Sequence, residues 1–172
     1  MTKNKSPILT LTLLVFLLIF SYFNSKTPEN NQTSTLSQTS QTSEKVVVVN
    51  IVDGDTIDVK NQNNETERIR IIGINTPEKE QCFFNEANKK AEDILLNEEI
   101  TLENDPTQDE KDRYGRTLAH IIVSGENYGE TMIKEGFAKE YTYKKPYKYQ
   151  ATFQEAQAFA INNEIGLWGN CN

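Results

Sequence analysis

The residue order predicts an α+β fold: a small five-stranded β-barrel, closed or partly closed in the manner of an OB-fold, with three α-helices packed on it. Two observations carry this expectation. Three strand-like segments come first, joined by short turns as in a meander. A helix, two more strands and two helices then follow, so the helices decorate one end.

Residues 46–52 (VVVVNIV) are β-branched and read as the first strand. Asp53, Gly54 and Asp55 are turn residues, and residues 56–59 alternate apolar with polar as a second strand. Residues 61–64 close the hairpin. A third strand is expected over 67–74, ended at Thr76 and Pro77 because proline has no amide proton for the ladder. Ala87, Ala91, Ile94 and Leu95 fall near helical spacing within 85–96. Residues 100–102 and 118–123 read as strands, with a polar loop over 104–115 between them. The last helices span 128–135 and 151–162. In the second of these, Phe153, Ala156, Gln157 and Ala160 share a face, and Gly166 lies beyond its end. There are no internal repeats.

This domain, 45–172, is preceded by two segments of different character. Residues 1–6 carry Lys3 and Lys5 and no acid, and residues 7–23 are almost wholly apolar. That is the pattern of an export signal, read as a signal peptide or an N-terminal membrane anchor. No small-x-small cleavage site stands out, and the apolar stretch approaches the ~17–25 residues that span a bilayer. Export places the domain outside the cell, secreted or anchored to the outer face of the membrane. Residues 24–44 are rich in Ser, Thr, Asn and Gln, with little to bury against their ordering entropy, and read as a disordered linker.

Charge and cysteines narrow the chemistry. From residue 45 onward there are 15 Lys and Arg against 23 Asp and Glu. That balance argues against broad electrostatic attraction to a polyanion and makes a bound cation and a local basic patch necessary if the substrate is one. A single histidine, His120, disfavours a tetrahedral zinc site. Cys82 and Cys171 are an even pair in an exported chain, which fits either a disulfide or two free thiols, since spacing does not fix connectivity.

Four groups of residues could carry function. Asp53 and Asp55, two apart across a glycine, offer hard oxygens to a divalent cation, although an Asp-Gly turn is common without one. Arg70 and Glu78 flank a strand end, where a carboxylate can deprotonate water and an arginine can grip a phosphate; a structural ion pair is the plainer alternative. Arg113, Tyr114 and Arg116 place two cations beside a ring, suited to charge developing on a phosphate in its transition state, or to a solvated loop. Tyr141, Tyr143, Tyr147 and Tyr149 interleave with Lys139, Lys144, Lys145 and Lys148, as in proteins that stack single-stranded bases, or as rings that pack beside a helix.

In register, these blocks resemble the staphylococcal nuclease (thermonuclease) family. The residues that carry the likeness are 52–56, 70–78, 112–119, 136–138 and 166–168. The resemblance implies an OB-fold barrel with three helices and Ca²⁺-dependent hydrolysis of DNA and RNA that leaves 3′-phosphorylated ends. It implies Asp55 as a direct Ca²⁺ ligand, Asp53 nearby through water, and the Thr76 carbonyl as another ligand. Glu78 would act on the attacking water, and Arg70 and Arg116 would hold the phosphate. Tyr114, Tyr141 and Tyr143 would line the nucleotide pocket, with Arg113 near the substrate. Single-stranded or frayed DNA and RNA are the expected partners, and a monomer the expected state. Asn75 departs from the pattern, since the best-known members have a second carboxylate ligand there. An amide oxygen brings no charge, so weaker Ca²⁺ binding is expected. The pair Cys82 and Cys171 also resembles a bridge of exported relatives. A barrel that binds nucleic acid without cutting it is the alternative function.

Overall fold

The computed structural model describes residues 43–171. The expected signal or anchor over 1–23 lies outside the described residues, as does the expected linker up to residue 42, whereas Ser43 and Glu44, expected as the end of that linker, are strand residues paired with Glu103 and Leu102. Among the described residues, no helix is long and apolar enough to cross a membrane.

Five strands close into a barrel. β1 (Ser43–Asp53) pairs antiparallel with β2 (Thr56–Lys60), and β2 with β3 (Thr66–Ile71). β5 (Glu99–Glu103) pairs with β1 on its other side and with β6 (Thr117–Val123). One parallel pairing, β3 with β6, closes the ring. Closure leaves none of these five strands with an open edge. In the VVVV run, Val46 and Val48 point inward while Val47 and Val49 are exposed. A register shift between Val48 and Asn50 then breaks the alternation.

The third strand stops at Ile71 instead of running on to residue 74. The reason is Gly73, at φ 85°, where a Cβ would meet the Tyr147 ring at 2.6 Å. The chain turns there against that ring, and β4 (Ile74–Asn75) leaves the barrel to pair with β8 (Lys139–Glu140).

Three helices pack on the barrel. α1 (Phe84–Leu95) buries Ala87, Ala91 and Leu95, an i, i+4, i+8 stripe, and Ile94 is half-buried beside it. β7 (Glu126–Asn127) leads into α2 (Tyr128–Lys134), whose Asn127 side chain caps it by accepting from the Glu130 amide at 3.2 Å. α3 (Gln150–Asn162) buries Phe153, Ala156 and Ala160. A further single turn, α4 (Leu167–Asn170), is tied down by the Leu167 amide donating to the Gly136 carbonyl at 2.8 Å. Cys82 and Cys171 are joined, Sγ–Sγ 2.02 Å, which fastens the segment before α1 to the residue after α4.

The core also holds a polar pair. His120 Nε2 lies 3.3 Å from Asp105 Oδ2, with both side chains out of water. The same carboxylate accepts from the amides of Lys148 (2.7 Å) and Thr107 (2.9 Å) and from the Thr107 hydroxyl (2.8 Å), so it pins the polar loop to the segment ahead of α3.

Candidate active site

Strand register alone brings three loops together where the barrel closes. Thr56 at the start of β2 pairs with Arg70 on β3, and Arg70 pairs in turn with Leu118 on β6. The Asp53–Asp55 turn precedes the first of these residues, the 72–78 loop follows the second, and Arg116 immediately precedes β6.

The turn is held from two sides. Tyr128, fully buried at the start of α2, donates its hydroxyl to the Gly54 carbonyl at 2.8 Å. On the other side a Cβ at Gly54 would meet Thr76 Cγ2 at 2.7 Å, so glycine allows the 72–78 loop to close on the turn. Asp55 is buried and sits at the centre. Its Oδ2 accepts from the Thr76 amide at 3.0 Å, and its Oδ1 accepts from the Thr56 hydroxyl at 3.0 Å and faces Arg70 Nε at 3.2 Å. Asp53 is half-buried and accepts from the Asp55 amide at 3.0 Å. Burial, together with the Asp55 charge beside it, pushes the Asp53 carboxyl up to about 6.

Arg70 is turned along the loop it precedes. Nη1 donates to the Ile71 carbonyl at 2.5 Å, and Nη2 donates to the Ile74 carbonyl at 2.9 Å and approaches Asn75 Oδ1 at 3.4 Å. Both terminal nitrogens are engaged, so this rotamer clamps the loop, and the two-point phosphate contact expected of Arg70 requires the guanidinium to swing outward.

Arg116 is oriented by Asp112. Its Nε and Nη2 each lie 2.7 Å from Asp112 Oδ2, while Asp112 Oδ1 accepts from the amides of Tyr114 (2.9 Å) and Arg116 (3.0 Å). Burial alone would raise the Asp112 carboxyl, but these hydrogen bonds outweigh it and hold the pKa below the ordinary carboxylate value. Nη1 of Arg116 lies 3.5 Å from the Thr56 hydroxyl. A continuous line therefore runs Asp112, Arg116, Thr56, Asp55, Arg70.

The remaining expected residues are placed as follows. Glu78 is exposed, its amide donating to Gln81 Oε1 at 2.9 Å. Tyr114 is exposed beside Arg116, 5.4 Å from guanidinium carbon to ring centroid, and under Arg113 at 4.7 Å. Tyr141 and Tyr143 are exposed and stack on one another, centroids 6.3 Å apart. Tyr147 and Tyr149 do not join them. Tyr147 is buried against Phe153, and Tyr149 stacks on Phe153 while donating to Glu103 at 2.9 Å, so two of the four rings serve packing. Lys145 and Lys148 are likewise paired, with Asp109 and Glu103.

Thr56 and Asp112 lie in blocks that carry the family likeness but have no role assigned from sequence, and Tyr128 is expected there only as the start of a helix; the structure brings all three into contact with the candidate site. Asp112 had a signal, four residues ahead of Arg116 in a glycine turn. Thr56 has its place in the 52–56 block as a signal, and Tyr128 has none beyond helical spacing.

Among the described residues, no three His, Cys, Asp or Glu side chains are grouped to hold a metal. The Asp53 and Asp55 carboxylates lie together in the turn, and Asp55 is bound through the Thr76 amide to the loop that carries Asn75. Two close carboxylates suit a hard cation that keeps water in its shell, as Ca²⁺ does.

Residues 68–170 match the family described as Staphylococcal nuclease homologue. The chain belongs to the staphylococcal nuclease family. It is similar to the thermonuclease of Staphylococcus intermedius, 31% identical with 98% of this chain and 99% of the relative covered. It is also similar to the thermonuclease of Staphylococcus hyicus, 36% identical over 72% of this chain and 75% of that one. The micrococcal nuclease of Shigella flexneri is 36% identical over 73% of this chain and 74% of its own length. The family match takes in Arg70, the Asn75 loop, Glu78 and Arg116, and the Staphylococcus intermedius alignment extends through the Asp53–Asp55 turn.

Proposed function

We propose that this chain is an exported nuclease that hydrolyses phosphodiester bonds of single-stranded or frayed DNA and RNA with Ca²⁺, leaving 3′-phosphorylated ends. Membership of a nuclease family supports the hydrolysis of nucleic acid. The observation that carries the finer reading is the line from Asp112 to Arg70, which sets two arginines on either side of a buried carboxylate.

Asp55, the Asn75 amide oxygen and the Thr76 carbonyl would hold the cation, with Asp53 reaching it through water. The bound ion supplies positive charge beside the scissile phosphate. Glu78, exposed and on a loop stiffened by Pro77, takes a proton from the attacking water. Arg116, already oriented by Asp112, neutralises charge that develops on the phosphate oxygens, at low reorganisation cost. Arg70 joins it by turning out of its loop contacts. Tyr114, Tyr141 and Tyr143 offer ring faces to unpaired bases, and Arg113 adds charge beside Tyr114. The export reading rests on residues 1–23, and a monomer is proposed because no second copy is needed to complete the site.

Glu78→Gln and Arg116→Ala test these roles. Each should abolish most cleavage; Glu78→Gln should leave the unfolding midpoint in place, and Arg116→Ala, which also removes the partner of Asp112, should lower it modestly while the protein stays folded. Wild-type turnover in both variants contradicts the assignment. Binding of single-stranded DNA by the parent protein without any cleavage identifies a non-catalytic module instead.

A further inference from the structure

The exposed ring pair Tyr141 and Tyr143 sits on a segment with little backbone support. β4 and β8 are two residues each, and pairings that short are marginal by themselves. The segment after β8 is exposed from Tyr141 to Pro146. Something other than the ladder must fix it.

That fastening converges on Glu140. Its Oε1 accepts from the Thr142 hydroxyl at 2.5 Å and from the Tyr147 hydroxyl at 3.0 Å, so one carboxylate oxygen ties together both ends of the segment that carries Tyr143. The Glu140 amide donates to Gln157 Oε1 at 2.8 Å, and Gln150 Nε2 donates to the Thr142 hydroxyl at 2.6 Å, which fixes the same segment to α3. The link continues to the Asn75 loop. The Tyr141 amide donates to the Gly73 carbonyl at 2.9 Å, the Tyr147 hydroxyl lies 3.3 Å from the same oxygen, and Glu140 pairs with Ile74. The Glu140 carboxylate thus braces the segment that carries the rings, and the backbone of that segment is joined to the loop that carries Asn75 and Thr76.

We propose that Glu140 is a positioning residue: its carboxylate sets the Tyr141–Tyr143 ring pair at a fixed place relative to the Asn75–Thr76 loop, and stacking of single-stranded bases depends on it. The substrate class rests on the nuclease reading above. Ordering the rings beforehand removes an entropy cost that binding would otherwise carry. Glutamate is not needed for its charge, because an amide oxygen can accept from the same two hydroxyls.

The test compares Glu140→Ala and Glu140→Gln in the full chain, with Tyr141→Ala/Tyr143→Ala as a second background. Affinity is read by fluorescence anisotropy with a hydrolysis-resistant phosphorothioate single-stranded oligonucleotide, and KM and kcat are read with ordinary single-stranded DNA. Glu140→Ala should weaken binding and raise KM about tenfold, the size of one lost base-on-ring contact, with kcat nearly unchanged. Glu140→Gln should restore both, and Glu140→Ala should add nothing in the ring-less background. Unchanged affinity in Glu140→Ala overturns the proposal. So does a Gln variant as weak as the Ala variant, or a full additional loss without the rings. A parent protein that binds but does not cut, with the tenfold effect on affinity intact, contradicts the nuclease reading and supports the role of Glu140.

Discussion

The Thr56 hydroxyl donates to Oδ1 of Asp55 at 3.0 Å, with both residues buried. The same hydroxyl lies 3.5 Å from Arg116 Nη1, so one small side chain links the buried Asp55 carboxylate to the Arg116 guanidinium. Thr56→Val keeps the shape and the β-preference and removes only the hydroxyl. Stability should fall by about 1–2 kcal/mol, because Asp55 loses one of its donors in a buried setting. Turnover should fall about tenfold or more, since a small displacement of a stabilising group is costly. Thr56→Ser should recover both. Steady-state kinetics beside urea unfolding separates the two effects.

Asn75 sets the charge of the proposed cation site. Asn75→Asp adds a carboxylate at the point Arg70 Nη2 already approaches. Ca²⁺ should bind about tenfold more tightly, by calorimetry or terbium luminescence, and the calcium needed for half-maximal cleavage should drop with it. If neither changes, Asn75 is not a ligand.

Tyr128 is buried on α2, yet its hydroxyl holds the Gly54 carbonyl. Tyr128→Phe leaves that carbonyl without its partner and should cost about 1–3 kcal/mol in denaturant unfolding. Activity should fall as well, because the Asp53–Asp55 turn loses its inner support. A purely structural tyrosine would lower stability alone.

The buried pair His120 and Asp105 makes stability fall toward acid. Burial lowers the His120 pKa below its ordinary 6.5, although Asp105 pulls it the other way. Burial would raise Asp105, but hydrogen bonds from Lys148, Thr107 and His120 outweigh it, and its pKa lies below the ordinary 3.8. Both folded values are depressed, so each group contributes stability above its unfolded pKa that is lost as pH falls through the folded one. The His120 contribution therefore erodes from about pH 6.5 downward, and that of Asp105 below about pH 3.8. His120→Gln, which can still donate to Asp105 and does not titrate, should shrink the loss of unfolding free energy between about pH 7.5 and pH 5. An unchanged loss would place the titrating group elsewhere.

The five barrel strands and three helices were legible because alternation, helical spacing and turn residues are local. Local pattern overextends the strand over 67–74 because what ends it, the Tyr147 ring against Gly73, comes from a residue far along the chain. The parallel closure of β3 on β6 and the two-residue pairing of β4 with β8 likewise leave no local pattern. At the site, charged residues announced themselves by type and spacing. The hydroxyls of Thr56 and Tyr128 did not, since their value lies wholly in partners brought to them by register. Rings were the hardest to sort: Tyr141 and Tyr143 face water while Tyr147 and Tyr149 pack, and only tertiary contacts distinguish them.

The central claim is cleavage that depends on a cation held at Asp55. The most direct test incubates the protein with single-stranded DNA in the presence of Ca²⁺, then with chelator, then with Ca²⁺ restored, and follows product length together with the phosphate at the new 3′ ends. Cleavage that appears with Ca²⁺, stops with chelator, returns on restoration and is lost in Asp55→Asn is the predicted result. Cleavage that continues at the same rate in chelator, or no cleavage under any condition by the folded protein, contradicts it.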